Sequence, residues 1–305
     1  MDKKLWIGSI QVMVGAMSYG VLATLVRLAY DDGYSTAEVT FAQYAVGFMV
    51  LGLIYARERI QSTKQITAGL ANRRPYWKLL LGGSTMGLTG VFYYFSVSYL
   101  PVSLCVVFLM QSIWMGVFLD AAIFKKFPSV IKLLACFIVL SGTVLATGAW
   151  SESTGPHPLG VMWGILAALM MTIALMVCNN TALELSTATR SFFIMLGSFV
   201  AVVLVGLPSL LSAFNPDIFL SWGIVLALFG TVIPPFLYSA GFPRTGIGLG
   251  SILISVEIPV SVSLAAIVLH EKVSHLQWTG IAMIIGAVVL LNYRLVYQSF
   301  AIKKQ

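Results

Sequence analysis

Charged residues are scarce in this chain of 305 residues, where 18 Lys and Arg and 11 Asp and Glu make up 10% of the positions. Soluble globular domains carry about 25% charged residues. Apolar residues fill 59% of the chain and the mean hydropathy is +0.93, so too few polar residues remain to cover a water-exposed surface. Apolar runs of about 20 residues, the length of a helix that crosses a bilayer, recur from end to end. The composition predicts an all-α integral membrane protein.

Cysteine is also rare, and its positions do not suit a disulfide or a metal. Cys105, Cys136 and Cys178 all fall inside apolar runs, without CxxC spacing and without obvious partners. A disulfide framework or a zinc site would need paired or clustered spacings. We therefore expect no disulfide, no metal and no cofactor.

Histidine is equally rare, which limits the catalytic chemistry that the chain can carry. There are three His in all, and no Ser-His-Asp set can be proposed. His270, Glu271 and His275 resemble a zinc-protease signature, but these histidines are five apart in a loop, and the motif needs them four apart on one helical face. We expect that the protein is not an enzyme. A membrane-embedded transferase or hydrolase built on these three groups is the alternative from a different class.

Charge clusters and turn residues divide the chain into ten candidate spans. The longest polar break, 56–76, is short for a soluble domain. The first apolar run continues to about Arg27, which is too long for a signal peptide, so we expect it to be retained as a span. The expected spans are 5–27, 36–55, 77–99, 101–120, 129–148, 159–179, 190–211, 218–240, 246–269 and 276–294.

Lys and Arg are distributed unevenly between alternate loops. With the N-terminus in the cytoplasm, that side collects 16 Lys and Arg, and the opposite side receives Arg27 and Lys272. Cytoplasmic loops of membrane proteins carry such an excess. The distribution predicts a multi-pass protein of the cell inner membrane with both termini cytoplasmic. It also explains the pI of 9.3, so we do not expect nucleic-acid binding.

The two halves of the chain look alike at an offset of about 145 residues. YFSVSYLPVSLCVVFLMQSIWMGVFLDAAIFKK in the first half and SAGFPRTGIGLGSILISVEIPVSVSLAAIVLHEK in the second both run through an apolar span. Each half holds five spans, an odd number, so the second copy must be inserted upside down. Inverted repeats with a site near the midplane are a recurrent design of secondary transporters. We expect ten transmembrane helices as two inverted five-helix repeats, 1–150 and 157–296, followed by a cytoplasmic tail, 297–305.

The segment LISVEIPVSVSLAAIVLHEKVSHLQWTGIAMIIGAVVLL, with Pro259, Glu271, Gly280 and Gly286, resembles the second repeat of a known family. That family is the EamA-type ten-helix carriers of the drug/metabolite transporter superfamily. SYGVLATLVRLAYDDGYSTAEVTFAQYAVG is similar to the opening of the first repeat. The resemblance covers nearly the whole chain. It implies the fold and a transport activity, with export as the direction, and leaves the cargo open.

Two positions depart from the pattern of that family. Gln43 stands where many members carry Arg, and Trp114 stands where the inverted partner has Pro259. Both positions fall inside expected spans, so the departures bear on the polar groups that a site could offer.

Glu257 is an isolated acid near the middle of the ninth expected span, with eleven or more uncharged residues on each side. A charge at that depth costs about 2.5–3.5 kcal/mol on insertion scales, so it should face protein or a water-filled cavity. There it can take up and release a proton or pair with a cationic group on the cargo. The alternative is a structural carboxyl group that ties helices together. We predict that Glu257 binds the substrate and couples transport to protons.

Residues on the same helical face as Glu257, and their counterparts in the first half, extend the predicted site. Residues three, four and seven apart share a face, which places Ser261 beside Glu257. The counterpart in the fourth span is Gln111, with Trp114 as an apolar wall or cation–π platform. Simple packing of Trp114 against neighbouring helices is the alternative.

Other polar residues repeat this arrangement on neighbouring spans. Tyr93 on the third span and Tyr238 on the eighth stand at the same offset of 145, and the first two spans offer Tyr19 and Gln43. Amides and hydroxyls in a membrane can also serve as contacts between helices. We include these four residues among the predicted substrate-binding residues.

The residues together predict a secondary carrier of small organic metabolites that works by alternating access. Its expected partners are the solute and the lipid bilayer. A site with one acid, several amides and aromatics, and no Lys or Arg suits an amino acid or amine-like cargo, exchanged for protons. A neutral or anionic metabolite, such as a nucleoside or sugar, or a lipophilic drug is the alternative. The stretch from Gly280 to Gly286 could pack against a second copy as a homodimer, or accommodate a neighbouring helix.

Overall fold

The computed structural model describes residues 3–61, 74–125, 127–146, 156–182 and 185–301, and every regular element within these ranges is a helix. This confirms the all-α prediction. The last four residues of the expected tail, 302–305, lie outside the described residues. The preceding residues of that tail continue the last helix, which ends at Ala301.

The helices follow one another with short connections. Two π-helical segments, Phe219–Gly223 and Leu228–Val232, flank the short helix Ile224–Ala227. The helices are α1 (Lys3–Asp31), α2 (Thr36–Gln61), α3 (Arg74–Tyr99), α4 (Val102–Leu109), α5 (Ser112–Phe124), α6 (Val130–Ala146), α7 (Pro158–Asn180), α8 (Thr187–Ser212), α9 (Ile224–Ala227), α10 (Ile233–Ile254), α11 (Glu257–Val268) and α12 (His275–Ala301).

Within the described ranges, 6 stretches of helix are long and apolar enough to cross a bilayer. Three shorter apolar helices accompany them, Val130–Ala146, Glu257–Val268 and His275–Leu290. Large apolar side chains lie on the outside of the bundle, where Leu211 is 79% and Ile267 70% exposed. Such a surface suits lipid rather than water. The chain is a multi-pass membrane protein.

The expected fourth span is not one helix, because it breaks between α4 and α5 at Met110 and Gln111. The backbone N–H of Gln111 donates to the carbonyl of Phe108 (3.0 Å) and not, as in a regular α-helix, to that of Val107. Gln111 Nε2 donates to the Val107 carbonyl instead (3.0 Å). An unpaired backbone group in hydrocarbon costs several kcal/mol, so the amide side chain of Gln111 stabilises the break.

The expected eighth and ninth spans also differ from two uninterrupted helices. The eighth contains the two π-helical segments, and α10 then continues through 241–245, where the sequence predicts a loop. The ninth breaks at Ser255 and Val256, between α10 and α11. Pro259 has no N–H with which to bond the Ser255 carbonyl, and the N–H of Ile258 donates to that carbonyl instead (3.2 Å). The proline therefore accounts for the second break.

The helices pack around a shared core in which α4 is central. α3 packs mainly against α7 and α8, α1 against α10 and α11, and α6 against α12. All residues of α4 are buried, and they belong to the largest apolar cluster, which also includes Val97 of α3 and Ile258 of α11. This short helix therefore contacts protein on every side.

Two glycines allow the backbones of α3 and α8 to cross closely. A Cβ at Gly83 would overlap the carbonyl of Ile194, and a Cβ at Gly197 would overlap the carbonyl of Leu80. Membrane helices use small residues for such approaches, because van der Waals packing rather than the hydrophobic effect drives their association. This crossing fixes the position of α3, which carries Tyr93.

Gly280 and Gly286, which the sequence offers for contact with a second copy, lie in different surroundings. A Cβ at Gly280 would overlap Gly142 and Ala146 of α6, so Gly280 serves packing within the chain. No atom of the described residues lies within 4 Å of a Cβ at Gly286. A homodimer through α12 would therefore use the face of Gly286.

We predict that Gly197→Leu destabilises the protein and that the matched variant Gly286→Leu does not. The new side chain at position 197 must push α8 away from α3, and overpacking costs about 1–3 kcal/mol. At position 286 the side chain enters open space, and Leu is a better helix former than Gly by about 1 kcal/mol. Thermal unfolding in detergent measures both variants. Equal midpoints for the two would contradict the close crossing.

Candidate functional site

Glu257 is the first residue of α11 and directly follows the break at Ser255 and Val256. Its side chain is partly exposed, and no hydrogen bond or ion pair from the described residues reaches its carboxylate. A carboxylate facing lipid at this depth would cost about 2.5–3.5 kcal/mol. We therefore expect the carboxylate to face protein or water between the helices rather than lipid.

Three tyrosines on three other helices lie near Glu257. The charge of Glu257 acts on the phenol groups of Tyr19 on α1, Tyr93 on α3 and Tyr238 on α10. The ring centroids of Tyr19 and Tyr238 are 6.0 Å apart. α1 approaches α11 at Gly20, where a Cβ would lie 2.8 Å from the Glu257 carbonyl oxygen. The structure thus brings together four of the predicted site residues.

Ser261 lies one helical turn beyond Glu257 on α11 and is fully buried. Its Oγ has no hydrogen-bond partner among the described residues, and neither has the Oγ1 of Thr24 on α1. Thr24 lies one turn beyond Gly20, so both hydroxyls follow the same contact between α1 and α11. Buried hydroxyls in proteins nearly always have a partner. The hydroxyls of Ser261 and Thr24, each one helical turn beyond the contact between α1 and α11 at Glu257, are therefore groups that a polar solute could bind.

Gln111 and Trp114 form a hydrogen-bonded cluster with α6. Gln111 Nε2 donates to Thr143 Oγ1 (2.6 Å), and Trp114 Nε1 donates to Gln111 Oε1 (2.9 Å). Trp114 also packs beside Ala135 of α6 and Ala287 of α12. The Gln111 side chain is 2% exposed, and both its polar atoms have partners. The geometry gives these two residues a part in supporting the break, and their role in substrate binding stays a prediction.

Gln43 on α2 is buried against α3 and the second π-helical segment. The hydroxyl of Tyr94 on α3 donates to Gln43 Oε1, and a Cβ at Gly230 would overlap Gln43 Nε2. Tyr94 is next to Tyr93 in the chain, and their ring centroids are 6.1 Å apart. Gln43 therefore connects to the group around Glu257 through the two neighbouring tyrosines.

At one end of the bundle, Glu271 binds the first turn of α4. Its Oε1 accepts a hydrogen bond from the N–H of Val102 (2.6 Å). Its Oε2 accepts from the N–H (3.1 Å) and from the Oγ (2.7 Å) of Ser103. We call these three bonds the Glu271 clasp. His270 has a φ of 55°, a left-handed turn that reverses the chain after α11 and directs Glu271 towards α4.

A cavity of about 560 Å³ opens beside the Glu271 clasp. Arg27 Nη1 donates there to the Val97 carbonyl (3.1 Å), and Arg27 Nε lies 3.6 Å from the Asp31 carboxylate. The cavity is lined by Arg27, Leu28, Asp31, Ser98, Tyr99, Leu100, Pro101, Val268, Leu269, His270 and Glu271. Charged groups of both signs therefore face the space at this end of the bundle.

The model of the EamA-like transporter family matches the chain twice, over residues 6–148 and residues 158–293. The chain belongs to the EamA-like transporter family. This confirms the resemblance to the drug/metabolite transporter superfamily. Family membership and the apolar helices together make the protein a membrane transporter.

Two known proteins are similar to this member of the EamA-like family. A probable transport protein of Saccharomyces cerevisiae, YPL264C, is 26% identical over 267 residues, which cover 79% of this chain and 74% of the yeast protein. A solved crystal structure with 14% identity has a TM-score of 0.63 and covers 94% of this chain and 97% of its own. The second likeness shows a shared fold alone.

Sequence reasoning missed several polar residues that the structure places at these sites. Tyr94 had a local signal, because it adjoins Tyr93, one of the predicted residues. Thr143 had none, since its contact with Gln111 depends on how α6 crosses α5. The partner of Glu271 was likewise hidden, because Ser103 lies 168 residues away in sequence.

We predict that Gln111→Ala destabilises this transporter by about 1–3 kcal/mol, because the Val107 carbonyl and the Trp114 indole N–H lose this partner inside the membrane. The matched variant Trp114→Phe removes one donor and keeps an aromatic ring, so its effect should be smaller. Thermal unfolding in detergent measures both. If Gln111→Ala kept wild-type stability and lost solute binding, Gln111 would be a site residue and not a support for the break.

Proposed function

We propose that the protein is a secondary transporter of the cell inner membrane that exports small amine-bearing metabolites, such as amino acids, in exchange for protons. The observation that carries this proposal is the carboxylate of Glu257. It is partly exposed in the middle of a span and has no hydrogen-bond or ion-pair partner among the described residues. A positively charged amine or a proton supplies the missing partner. An intramembrane acid is a functional site by default, since its burial is costly.

The groups around Glu257 favour an amine over an anion. Glu257 contributes one negative charge, and Tyr19, Tyr93 and Tyr238 contribute aromatic rings and phenols that interact with it. Aromatic faces attract cations, including ammonium groups. None of the predicted site residues is Lys or Arg, so an anionic solute would find no counter-charge among them.

The positions of the helix breaks support two repeats, 1–150 and 157–296, each with five spans. α4 ends at Leu109 and α10 at Ile254, and α5 begins at Ser112 and α11 at Glu257, so both boundaries recur after 145 residues. The same offset separates Lys125 and His270, which both have a positive φ. The two separate matches to the family model point the same way. With five spans in each repeat, the second repeat is inverted.

An inverted pair of repeats suits alternating access. The two halves exchange their conformations, so the site opens to one side and then to the other. The distribution of Lys and Arg supports cytoplasmic termini. In that orientation the end of the bundle with Arg27 and Glu271 is the outer end.

We predict that Glu257→Gln abolishes proton-dependent transport of an amine solute and its binding. Gln has a similar shape but neither the charge nor the exchangeable proton. A thermal-shift screen of purified protein against amino acids, polyamines, nucleosides and phosphorylated sugars identifies a ligand, because binding stabilises the folded state. Flux into liposomes with an imposed pH gradient then compares wild type with the variant.

The matched control for that experiment is Asp217→Asn, which changes an exposed acid in the loop before α9. It should bind and transport as wild type does. Stabilisation by neutral or phosphorylated solutes alone, equal in wild type and Glu257→Gln, would contradict the amine proposal. It would favour a carrier of a nucleoside, sugar or drug.

The proposed orientation has its own test. We predict that a reporter that is active only in the cytoplasm is active when fused after residue 305, because 16 Lys and Arg lie on the side of the termini and such an excess faces the cytoplasm. A fusion in the loop at Asp32 is the matched control and should be inactive. The reverse pattern would contradict the orientation.

A further inference from the structure

α4 is a short helix that is bound by Glu271 at one end and ends at a break at the other. All its residues are buried, so it contacts protein on every side. At one end the Glu271 clasp binds Val102 and Ser103. At the other end the chain breaks at Met110 and Gln111, and a broken helix bends there more easily than a continuous one. The clasp is therefore the polar contact that holds the outer end of α4 in place.

The three hydrogen bonds of the Glu271 clasp are stronger than three bonds between neutral groups would be. Its acceptor is a carboxylate, and hydrogen bonds to ionised groups are roughly twice as strong as neutral ones. The positive end of the α4 helix also favours a negative charge at this place. The cavity beside the clasp is lined by Glu271 itself, so the acceptor side of the clasp borders this space.

Glu271, which forms the clasp, follows the end of α11, and Glu257, the acid in the middle of the membrane, begins the same helix. α11 begins at Glu257 and ends at Val268, and Glu271 follows after one turn. The N–H of Glu271 donates to the carbonyl of Ala265 (3.1 Å), which ties the clasp to the helix. The clasp therefore joins the far end of α11 from Glu257 to the first turn of α4.

The other half of the chain has different residues in the corresponding places. At the offset of 145, Glu271 corresponds to Lys126, and the first turn of α4 corresponds to Ile247 and Gly248. Lys126 lies outside the described residues, but its chemistry is known from the sequence. A lysine has no acceptor for backbone N–H groups, so it cannot form the same clasp. Losing the Glu271 clasp therefore affects one end of the transporter and not both.

We propose that the Glu271 clasp is the outer gate of the transport path, and that Glu271 is the positioning residue that holds α4 in the closed state. This inference rests on the transporter function proposed above. The gate opens when Glu271 releases Val102 and Ser103 and the outer half of α4 moves away from α11. α4 is therefore the helix that moves when the gate opens.

Cys105 is a built-in reporter for that movement. It lies on α4 two residues after Ser103, is 0% exposed, and its Sγ accepts a hydrogen bond from Ser96 Oγ (3.4 Å). It reacts with a maleimide only when α4 leaves this position. The measurement is its labelling rate in purified protein in detergent, with Cys136 and Cys178 replaced by Ala, well below the unfolding temperature.

We predict that Glu271→Ala labels about tenfold faster than the parent protein, the order expected when hydrogen bonds to a charged group are lost. Glu271→Gln keeps an acceptor oxygen, so its rate should lie between the two. Lys272→Ala changes the exposed neighbour of Glu271 and should leave the rate unchanged. A Glu271→Ala variant that keeps its unfolding temperature and the parent labelling rate would overturn the gate.

A second variant covers the case in which Glu271→Ala does not fold. Ser103→Ala removes one of the three bonds and leaves both backbone donors in place, so the protein should stay folded and label several times faster. An unchanged rate would again overturn the proposal.

The labelling experiment needs no solute, which separates this proposal from the proposed function. Faster labelling of the clasp variants, with no amine flux by wild type in liposomes, would support the gate and overturn the proposal that the cargo is an amine. Amine flux by wild type, with unchanged labelling of the clasp variants, would support the carrier and overturn the gate.

Discussion

Inside a bilayer no water can satisfy a backbone N–H or C=O group, so every interruption of a helix must be compensated by the protein. The organisation of this transporter follows from two such interruptions, at Met110 and Gln111 and at Ser255 and Val256. Each interrupts an expected span and frees backbone groups near its middle. Polar residues that would be costly elsewhere in the membrane are therefore useful at these two places.

The two breaks are compensated in different ways, which gives the halves different roles. In the first half, Gln111 bonds the free carbonyl of Val107 and joins α6 through Thr143. In the second half, Pro259 leaves the Ser255 carbonyl to a neighbouring N–H, and the first residue after the break is Glu257. One break is therefore closed by its own side chain, and the other places a carboxylate near tyrosines of α1, α3 and α10.

α11 connects this central acid to the end of the bundle. Glu257 stands at its beginning, and Glu271, one turn after its end, binds the first turn of α4. α1 runs along the same helix, close to Glu257 at Gly20 and lining the cavity near Glu271 through Arg27. These three ionisable groups thus lie along one pair of neighbouring helices, α1 and α11.

The sequence by itself determined the membrane class and the family, and it predicted a role for Glu257, because hydropathy and an isolated acid are local properties of a segment. It also predicted Tyr19, Tyr93 and Tyr238 as site residues, and the structure places all three near Glu257. The tertiary structure alone decided where the spans break, that Gln111 turns to α6, and that Glu271 meets Ser103. Those features depend on how helices far apart in sequence cross, and crossings are set by backbone contacts such as Gly197 against Leu80, which no local pattern encodes.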